Sequence, residues 1–299
     1  MAYVLTPQED ALAGVARVID EQVLRVREAS EHAAADPAEF VRKGRVRGKR
    51  IRAVLRMARP AMAGRDYRRL NEWWRDTSRI VSGARDRAAR VEALEAVGAA
   101  VGGTVPEAAV EAVRNAFLAE AGRDGSRGAL RRFVKRIRST PETPAFKSAE
   151  EPVAFLIAGA AKTYGAARQA MRAALEAEEI EAFHDWRKQA KYHGLQMRLL
   201  RRLRPAAAQR VEATRHLALY LGAVQDIAVV IEGIDVLAPD GVLDGASHDD
   251  LALLGEVLTA RQEVLIERAL EAGEQLFDLR RSEFRERLSG KRRDEVAGA

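Results

Sequence analysis

The 299-residue sequence contains no cysteine, so it can form neither a disulfide nor a thiolate metal site. Only 9 residues are proline, 5% are aromatic and strand-like alternation is scarce, which favours an all-α fold with no sheet. The first ten residues contain no signal-peptide core, and no later run approaches ~18 consecutive apolar residues. We therefore expect a cytoplasmic protein with no membrane segment.

Acidic residues are also absent from two long stretches, residues 40–65 and 186–211. Read as a helix, the first stretch places cations along one face at steps of three and four residues. This face consists of Arg42, Arg45, Lys49, Arg52, Arg56 and Arg59. Another face carries small and apolar residues that a helix would bury. An exposed, solvated basic face is the alternative interpretation of such a charge run.

A shift of 142 residues aligns the second stretch with the first. The aligned basic positions are His184, Arg187, Lys191, Arg198 and Arg201, and Lys188 adds a further cation beside them. Only Gly194, opposite Arg52, interrupts the row. Residues 80–86 and 220–226, which follow the two basic stretches, also correspond. These correspondences predict an internal duplication.

The pattern His184-x-x-Arg187-Lys188-x-x-Lys191, followed by Leu221-Gly222-Ala223-Val224-Gln225-Asp226, resembles the CHAD domain, the conserved histidine α-helical domain. The resemblance covers about residues 8–290. It implies two pseudo-symmetric four-helix bundles with a basic groove between them that binds inorganic polyphosphate, and it implies an association with polyphosphate granules. Arg42 stands where the family pattern has its first histidine, which questions a proton-transfer role more than a binding role.

Turn-forming residues divide the chain. The segment 139–147 is the best linker, so we expect a first helical half at 8–138, a second at 148–290 and a flexible tail at 291–299. Within these halves we expect helices at 8–32, from Asp36-Pro37 to Pro60, at 66–97, 106–121 and 129–138. In the second half we expect them at 148–176, 178–204, 206–236 and 248–288.

The predicted polyphosphate ligands are the cations of the two basic stretches. They are Arg42, Arg45, Lys49, Arg52, Arg56, His184, Arg187, Lys188, Lys191, Arg198 and Arg201. A structural histidine at a helix start is the alternative for His184. We expect His193, Trp73 and Trp74 to be packed in the core, and Asp86 and Asp226 to pair with arginines behind the basic rows.

Three classes of function fit a basic helical protein, and the leading one is non-catalytic polyphosphate binding. Nucleic-acid binding is the second, but no aromatic residues alternate with the basic row, where base stacking would require them. An enzyme acting on phosphate polymers is the third. The sequence has no P-loop, no His-Glu-x-x-His motif and no acidic cluster near the basic rows. We therefore expect no catalytic residues, no metal and no cofactor, and the sequence leaves the oligomeric state open.

Overall fold

A computed structural model describes residues 3–101, 103–122, 126–147, 151–177, 179–237, 243 and 245–290 of the chain. All regular secondary structure in these ranges is helical, as the sequence predicts. The helices before the predicted linker are α1 (Ala11–Glu31), α2 (Pro37–Ala58), α3 (Gly64–Arg79), α4 (Ser82–Val101), α5 (Glu107–Gly122) and α6 (Ser126–Arg138). Those after it are α7 (Pro152–Ala177), α8 (Ile180–Leu200), α9 (Pro205–Leu237), α10 (His248–Leu276) and α11 (Arg281–Ser289).

The two basic stretches form α2 and α8, as expected. Asp36 caps α2, because its Oδ1 accepts a hydrogen bond of 3.0 Å from the backbone N–H of Glu39, and Pro37 occupies the first helical position. A short 3₁₀ turn at Arg59–Ala61 then ends the helix. The expected N-cap of α7 at Ser148, the 238–241 break and the 291–299 tail lie outside the described residues.

Helix α2 occupies a central place, since it packs against α1, α3, α7 and α8. Two glycines allow ring side chains to lie close to its backbone: a Cβ built at Gly44 would lie 2.6 Å from Phe133, and one at Gly48 would lie 3.3 Å from Trp74. On α7, a Cβ at Gly159 would lie 1.9 Å from the carbonyl oxygen of Met57. The glycine positions therefore fix how closely α2 approaches its neighbours.

Residues 139–147, which follow α6, run along α1 and the end of α2 and contain no helix. Arg27 donates a hydrogen bond of 2.9 Å to the carbonyl oxygen of Thr140, and Thr143 donates one of 2.7 Å to Asp20. The N–H of Lys147 donates to the carbonyl oxygen of Ala61 at 2.9 Å. Helices on either side of this segment also pack together, α2 on α7 and α4 on α9.

Two expected helices are each broken into two. The helix expected at 66–97 is interrupted at Ile80–Val81. Just before the break, the hydroxyls of Thr77 and Ser78 donate to carbonyls one turn back, at 2.6 and 2.9 Å, a pattern that bends helices. Val81 is buried at this bend. No proline lies near the break, and the nearby Gly83 falls inside α4, so the sequence pattern did not predict it.

The helix expected at 248–288 ends at Leu276 and resumes at Arg281 as α11. The break allows Phe277 and Phe284 to enter the same aromatic cluster around Tyr164, with ring centroids 5.4 and 4.0 Å from the tyrosine ring. Burial of both phenylalanines therefore outweighs helix continuation at this point.

Helix α9 is long and apolar enough to cross a membrane by length and composition alone. It packs against α4, α8 and α10, and it buries Leu217, Leu221, Val224 and Ile227 in the core. Such packing is typical of a core helix of a globular protein.

Candidate functional site

Helices α2 and α8 lie against each other and bring the two basic rows together. Gln196 of α8, fully buried, donates hydrogen bonds of 3.0 Å to the carbonyl oxygen of Ala53 on α2 and 3.1 Å to Thr163 on α7. A buried amide N–H without a hydrogen-bond acceptor lowers the stability of the fold, so these two bonds fix the contact between the three helices.

Three cations of this contact, Lys49, Arg187 and Lys191, act on one another electrostatically. Lys191 is half-buried on α8, one turn from Arg187, and it feels the positive charge of the exposed Lys49 on α2. Burial, Arg187 and Lys49, in that order, lower the pKa of Lys191 to about 7, and Asp226 of α9 partly opposes them. Burial also lowers the pKa of Arg187, again opposed by Asp226. The expected role of Asp226 behind the basic row is therefore consistent with the structure, whereas the Asp86 side chain lies outside the described residues.

An aromatic ring joins the two rows at one end of the contact. The guanidinium groups of Arg52 and Arg56 on α2 lie 5.6 and 4.4 Å from the ring centroid of Tyr192 on α8. Tyr192 was not predicted as a site residue, since an aromatic residue next to Lys191 indicates only core packing. We refer to Lys49, Arg52, Arg56, Arg187, Lys191 and Tyr192 as the α2–α8 basic cluster.

Helix α3 extends this cluster. Arg52 Nε donates a hydrogen bond of 3.1 Å to Asn71 Oδ1. Burial lowers the pKa of Arg52; the positive charges of Arg56 and Arg75 lower it further, while Tyr192 opposes the shift. Asn71 and Arg75 are therefore site residues that periodicity within α2 and α8 could not reveal, because only the fold brings α3 to this position.

The outer ends of the rows behave differently from the centre. Arg42 Nη2 donates to Glu39 Oε1 at 2.7 Å, and Lys188 pairs with Asp185 one turn away. The expectation that these rows lack local acidic partners is therefore wrong at Arg42 and Lys188. Glu39 lies in the first turn of α2, where it also interacts favourably with the helix dipole, whereas Asp185 lies in the second turn of α8.

His184 is exposed, and its Nδ1 lies 2.7 Å from Gln225 Oε1 on α9. This contact orients the ring and leaves Nε2 available to a ligand. Arg45 lies half-buried on α2 and Arg201 half-buried at the end of α8. Arg198 is exposed at the far end of α8, where it acts on Arg50 and Tyr3 instead of on the central cations.

The predictions for core aromatic residues are confirmed for His193 and Trp74, which are 0% and 1% exposed. His193 sits among Tyr164, Phe277 and Phe284, and burial followed by Arg210 lowers its pKa to about 3. Trp73 is only partly buried.

The guanidinium of Arg136 lies over the Trp73 ring, 3.3 Å from the ring centroid. The prediction of a packed core residue is therefore wrong in part for Trp73, whose partly exposed ring also contacts a cation of α6. Within the described ranges, no group of three or more His, Cys, Asp or Glu residues has an arrangement that could hold a metal ion.

Comparison with known proteins identifies the family. The family model of the CHAD domain matches residues 17–234. The chain belongs to the CHAD domain family. A solved structure of PptA from Streptomyces chartreusis has a similar fold, with a TM-score of 0.52 and 18% sequence identity over 90% of this chain and 98% of PptA. No curated protein matches the sequence.

Proposed function

We propose that this CHAD domain protein binds inorganic polyphosphate at the α2–α8 basic cluster and does not catalyse its turnover. The observation that carries the proposal is that two helices bring Lys49, Arg187 and Lys191 together. Burial and then the positive charges of Arg187 and Lys49 lower the pKa of Lys191 there. Like charges held together in this way bind a polyanion strongly, because the ligand removes their mutual repulsion. Family membership supports the same ligand.

The spacing of the cations suits a polymer of phosphates. Residues three and four apart on a helix lie about 5 to 6 Å apart, so neighbouring side chains can hold successive phosphate groups. The planar guanidinium of Arg187 can bind two phosphate oxygens at once, whereas Lys49 and Lys191 act as mobile point charges. Binding would release counterions and weaken steeply as salt rises.

We further propose that α2 and α8 are equivalent helices of an internal duplication and form the two walls of a basic groove. The helix bounds support this: adding 142 to the residue numbers of α1 and α2 gives the bounds of α7 and α8 to within a few residues. The same shift carries α3 and α4 onto α9 and the region of α5 and α6 onto α10. In this arrangement each half contributes one row of cations, and the protein would follow its polymer to polyphosphate granules in the cytoplasm.

The alternative is a general polyanion surface that also binds nucleic acid. A competition titration separates the two: labelled long-chain polyphosphate is bound in near-physiological salt, and single- or double-stranded DNA is added at equal phosphate concentration. Our proposal predicts that DNA displaces little of the polymer. Equal or better competition by DNA would instead establish a general polyanion surface, which the shared electrostatic footprint of both ligand classes would explain.

A test of the non-catalytic part uses the same polymer. Incubation with long-chain polyphosphate and Mg²⁺ should leave both the chain-length distribution and the free orthophosphate unchanged. Release of phosphate that is lost in a Lys49→Gln, Lys191→Gln variant would show that the site has catalytic activity.

A further inference from the structure

Helix α10 has a second apolar face besides the one that it packs into the core. Its core face buries Leu258 and Leu265, and the helix packs against α9. Turned by about 120° from this face, at roughly 100° per residue, lies an apolar stripe with steps of four, three and four residues. The stripe consists of Leu253, Val257, Ala260 and Val264. Leu253 and Val264, at its two ends, are 40% and 39% exposed, and the two residues between them are exposed or half-buried.

The residue types in this stripe are those of a parallel two-stranded coiled coil. In the seven-residue repeat lettered a to g, positions 257 and 264 are a, and both are valine. Positions 253 and 260 are d, and they are leucine and alanine. β-Branched residues at a with leucine at d favour two parallel helices. Asp250 and Glu267, the next residues on this face, are charged and confine the apolar stripe to two repeats.

Charged residues of opposite sign border the two sides of the stripe. Glu256 and Glu263 occupy the g positions, and Arg261 and Arg268 occupy the e positions. Each glutamate precedes an arginine by five residues, a spacing that does not bring two side chains together within one helix. Among the described residues, none of these four side chains takes part in a salt bridge. All four charges are therefore available to a partner helix.

The charges match a second copy of the same helix in parallel orientation. In such a pair, the g residue of one helix lies beside the e residue of the next repeat in the other, so each glutamate would meet an arginine. In an antiparallel pair, the glutamates of the two copies would face each other, as would the arginines. The surface of α10 is therefore complementary to itself when a two-fold axis runs along the helix.

We propose that this protein forms a homodimer in which α10 of each copy pairs in parallel through Leu253, Val257, Ala260 and Val264. Two repeats make a short contact, so the dimer belongs with the weak interfaces that bury less than about 1,200 Å². It should dissociate at the low protein concentrations of a binding titration. The proposal rests on α10 and does not depend on the function proposed for the α2–α8 basic cluster.

Paired charge variants test the complementarity. Glu256→Arg with Glu263→Arg makes both borders of the stripe positive, and Arg261→Glu with Arg268→Glu makes both borders negative. Each variant alone should dimerise at least tenfold more weakly than the wild type. An equimolar mixture should form a heterodimer, because every g residue then meets an e residue of opposite charge.

Sedimentation equilibrium from micromolar to submillimolar protein, without polyphosphate, measures the association, and circular dichroism verifies helix content. Glu28→Arg with Glu176→Arg makes the same change of charge at exposed positions of α1 and α7. This control should dimerise like the wild type. A wild type that stays monomeric throughout the range would overturn the proposal, as would wild-type dimerisation by either charge variant alone.

A single cysteine tests the orientation, because the chain has none of its own. In the parallel dimer, Val264→Cys places the two thiols within disulfide distance, whereas in an antiparallel pair centred on the stripe they lie about 16 Å apart along the helix. Oxidation should therefore give a covalent dimer for Val264→Cys. Thr259→Cys, at an exposed position on another face of α10, is the control and should stay monomeric. Equal crosslinking of the two variants would contradict the parallel pairing of α10.

Discussion

Binding of polyphosphate should be coupled to protonation of Lys191. In the free protein, burial and then the positive charges of Arg187 and Lys49 lower the pKa of Lys191 from 10.5 to about 7, against the opposing effect of Asp226. A polyanion reverses the balance, because it favours the charged ammonium. Binding near pH 8 should therefore take up at most about 0.9 proton, which is the fraction of Lys191 that is deprotonated at pH 8 for a free pKa near 7.

The sign and size of the pH dependence follow from this shift. The bound state holds more protons than the free state above pH 7, so affinity should fall as pH rises. The decrease from pH 7 to pH 9 should reach about 50-fold as an upper bound, since one pKa unit corresponds to 1.36 kcal/mol. In the absence of ligand, the unfolded chain binds the additional proton between pH 7 and 10.5, so Lys191 makes the free protein more stable as pH rises through that window.

Calorimetric titration with long-chain polyphosphate, repeated at constant salt in buffers of different ionisation enthalpy, measures both the affinity and the proton uptake. Lys191→Arg keeps the charge at every pH and should remove most of the slope, while Lys191→Met should bind weakly with no slope. Affinity that is independent of pH between 7 and 9 in the wild type, or an equal slope in Lys191→Arg, would refute this reasoning.

Two further predictions concern the packing that positions the site. Tyr192→Ala removes the ring beneath Arg56 and should weaken polyphosphate binding about threefold to tenfold, whereas Tyr192→Phe should bind like the wild type. Equal binding by all three proteins in fluorescence titrations would contradict the cation–π contact. Gly159→Ala forces a methyl group against the carbonyl of Met57 and should lower the free energy of unfolding in urea by about 3 kcal/mol. Gly255→Ala, where the added methyl group would have no atom within 4 Å, should instead stabilise α10 by about 0.5 to 1 kcal/mol. Equal unfolding midpoints would show that the α2–α7 contact is not tight.

Local patterns in the sequence predict much of this fold. The spacing of cations and apolar residues locates α2 and α8, and the cap at Asp36 with Pro37 marks where α2 begins. The breaks after Arg79 and Leu276 were not predictable in this way. They arise from side-chain hydrogen bonds to carbonyls and from burial of Phe277, neither of which changes the periodicity of the helix.

The site was predictable in part for the same reason. Periodicity places Lys49, Arg187 and Lys191 on the basic faces of their own helices, but it cannot show which residues of other elements meet them. Tyr192 and Arg75 join the site only through the packing of α2 against α8 and α3. The pairing of Arg42 with Glu39 is not visible in the acid-free stretch, because Glu39 is the residue just before that stretch begins.

The central claim is that the facing cations of α2 and α8 bind polyphosphate, and charge reversal tests it most directly. One variant replaces four cations by glutamate, namely Arg45, Lys49, Arg187 and Lys191. A second changes the same residues to glutamine, which avoids placing new carboxylates beside Asp226. The control reverses four exposed arginines on α7, α10 and α11, namely Arg172, Arg268, Arg281 and Arg285.

Affinity for long-chain polyphosphate is measured by titration in near-physiological salt, and circular dichroism verifies helix content. We predict that both site variants keep their helix content and lose binding, while the control retains most of its affinity despite an equal change in net charge. Unchanged binding by a folded site variant, or an equal loss in the control, would contradict the assignment of the site to α2 and α8.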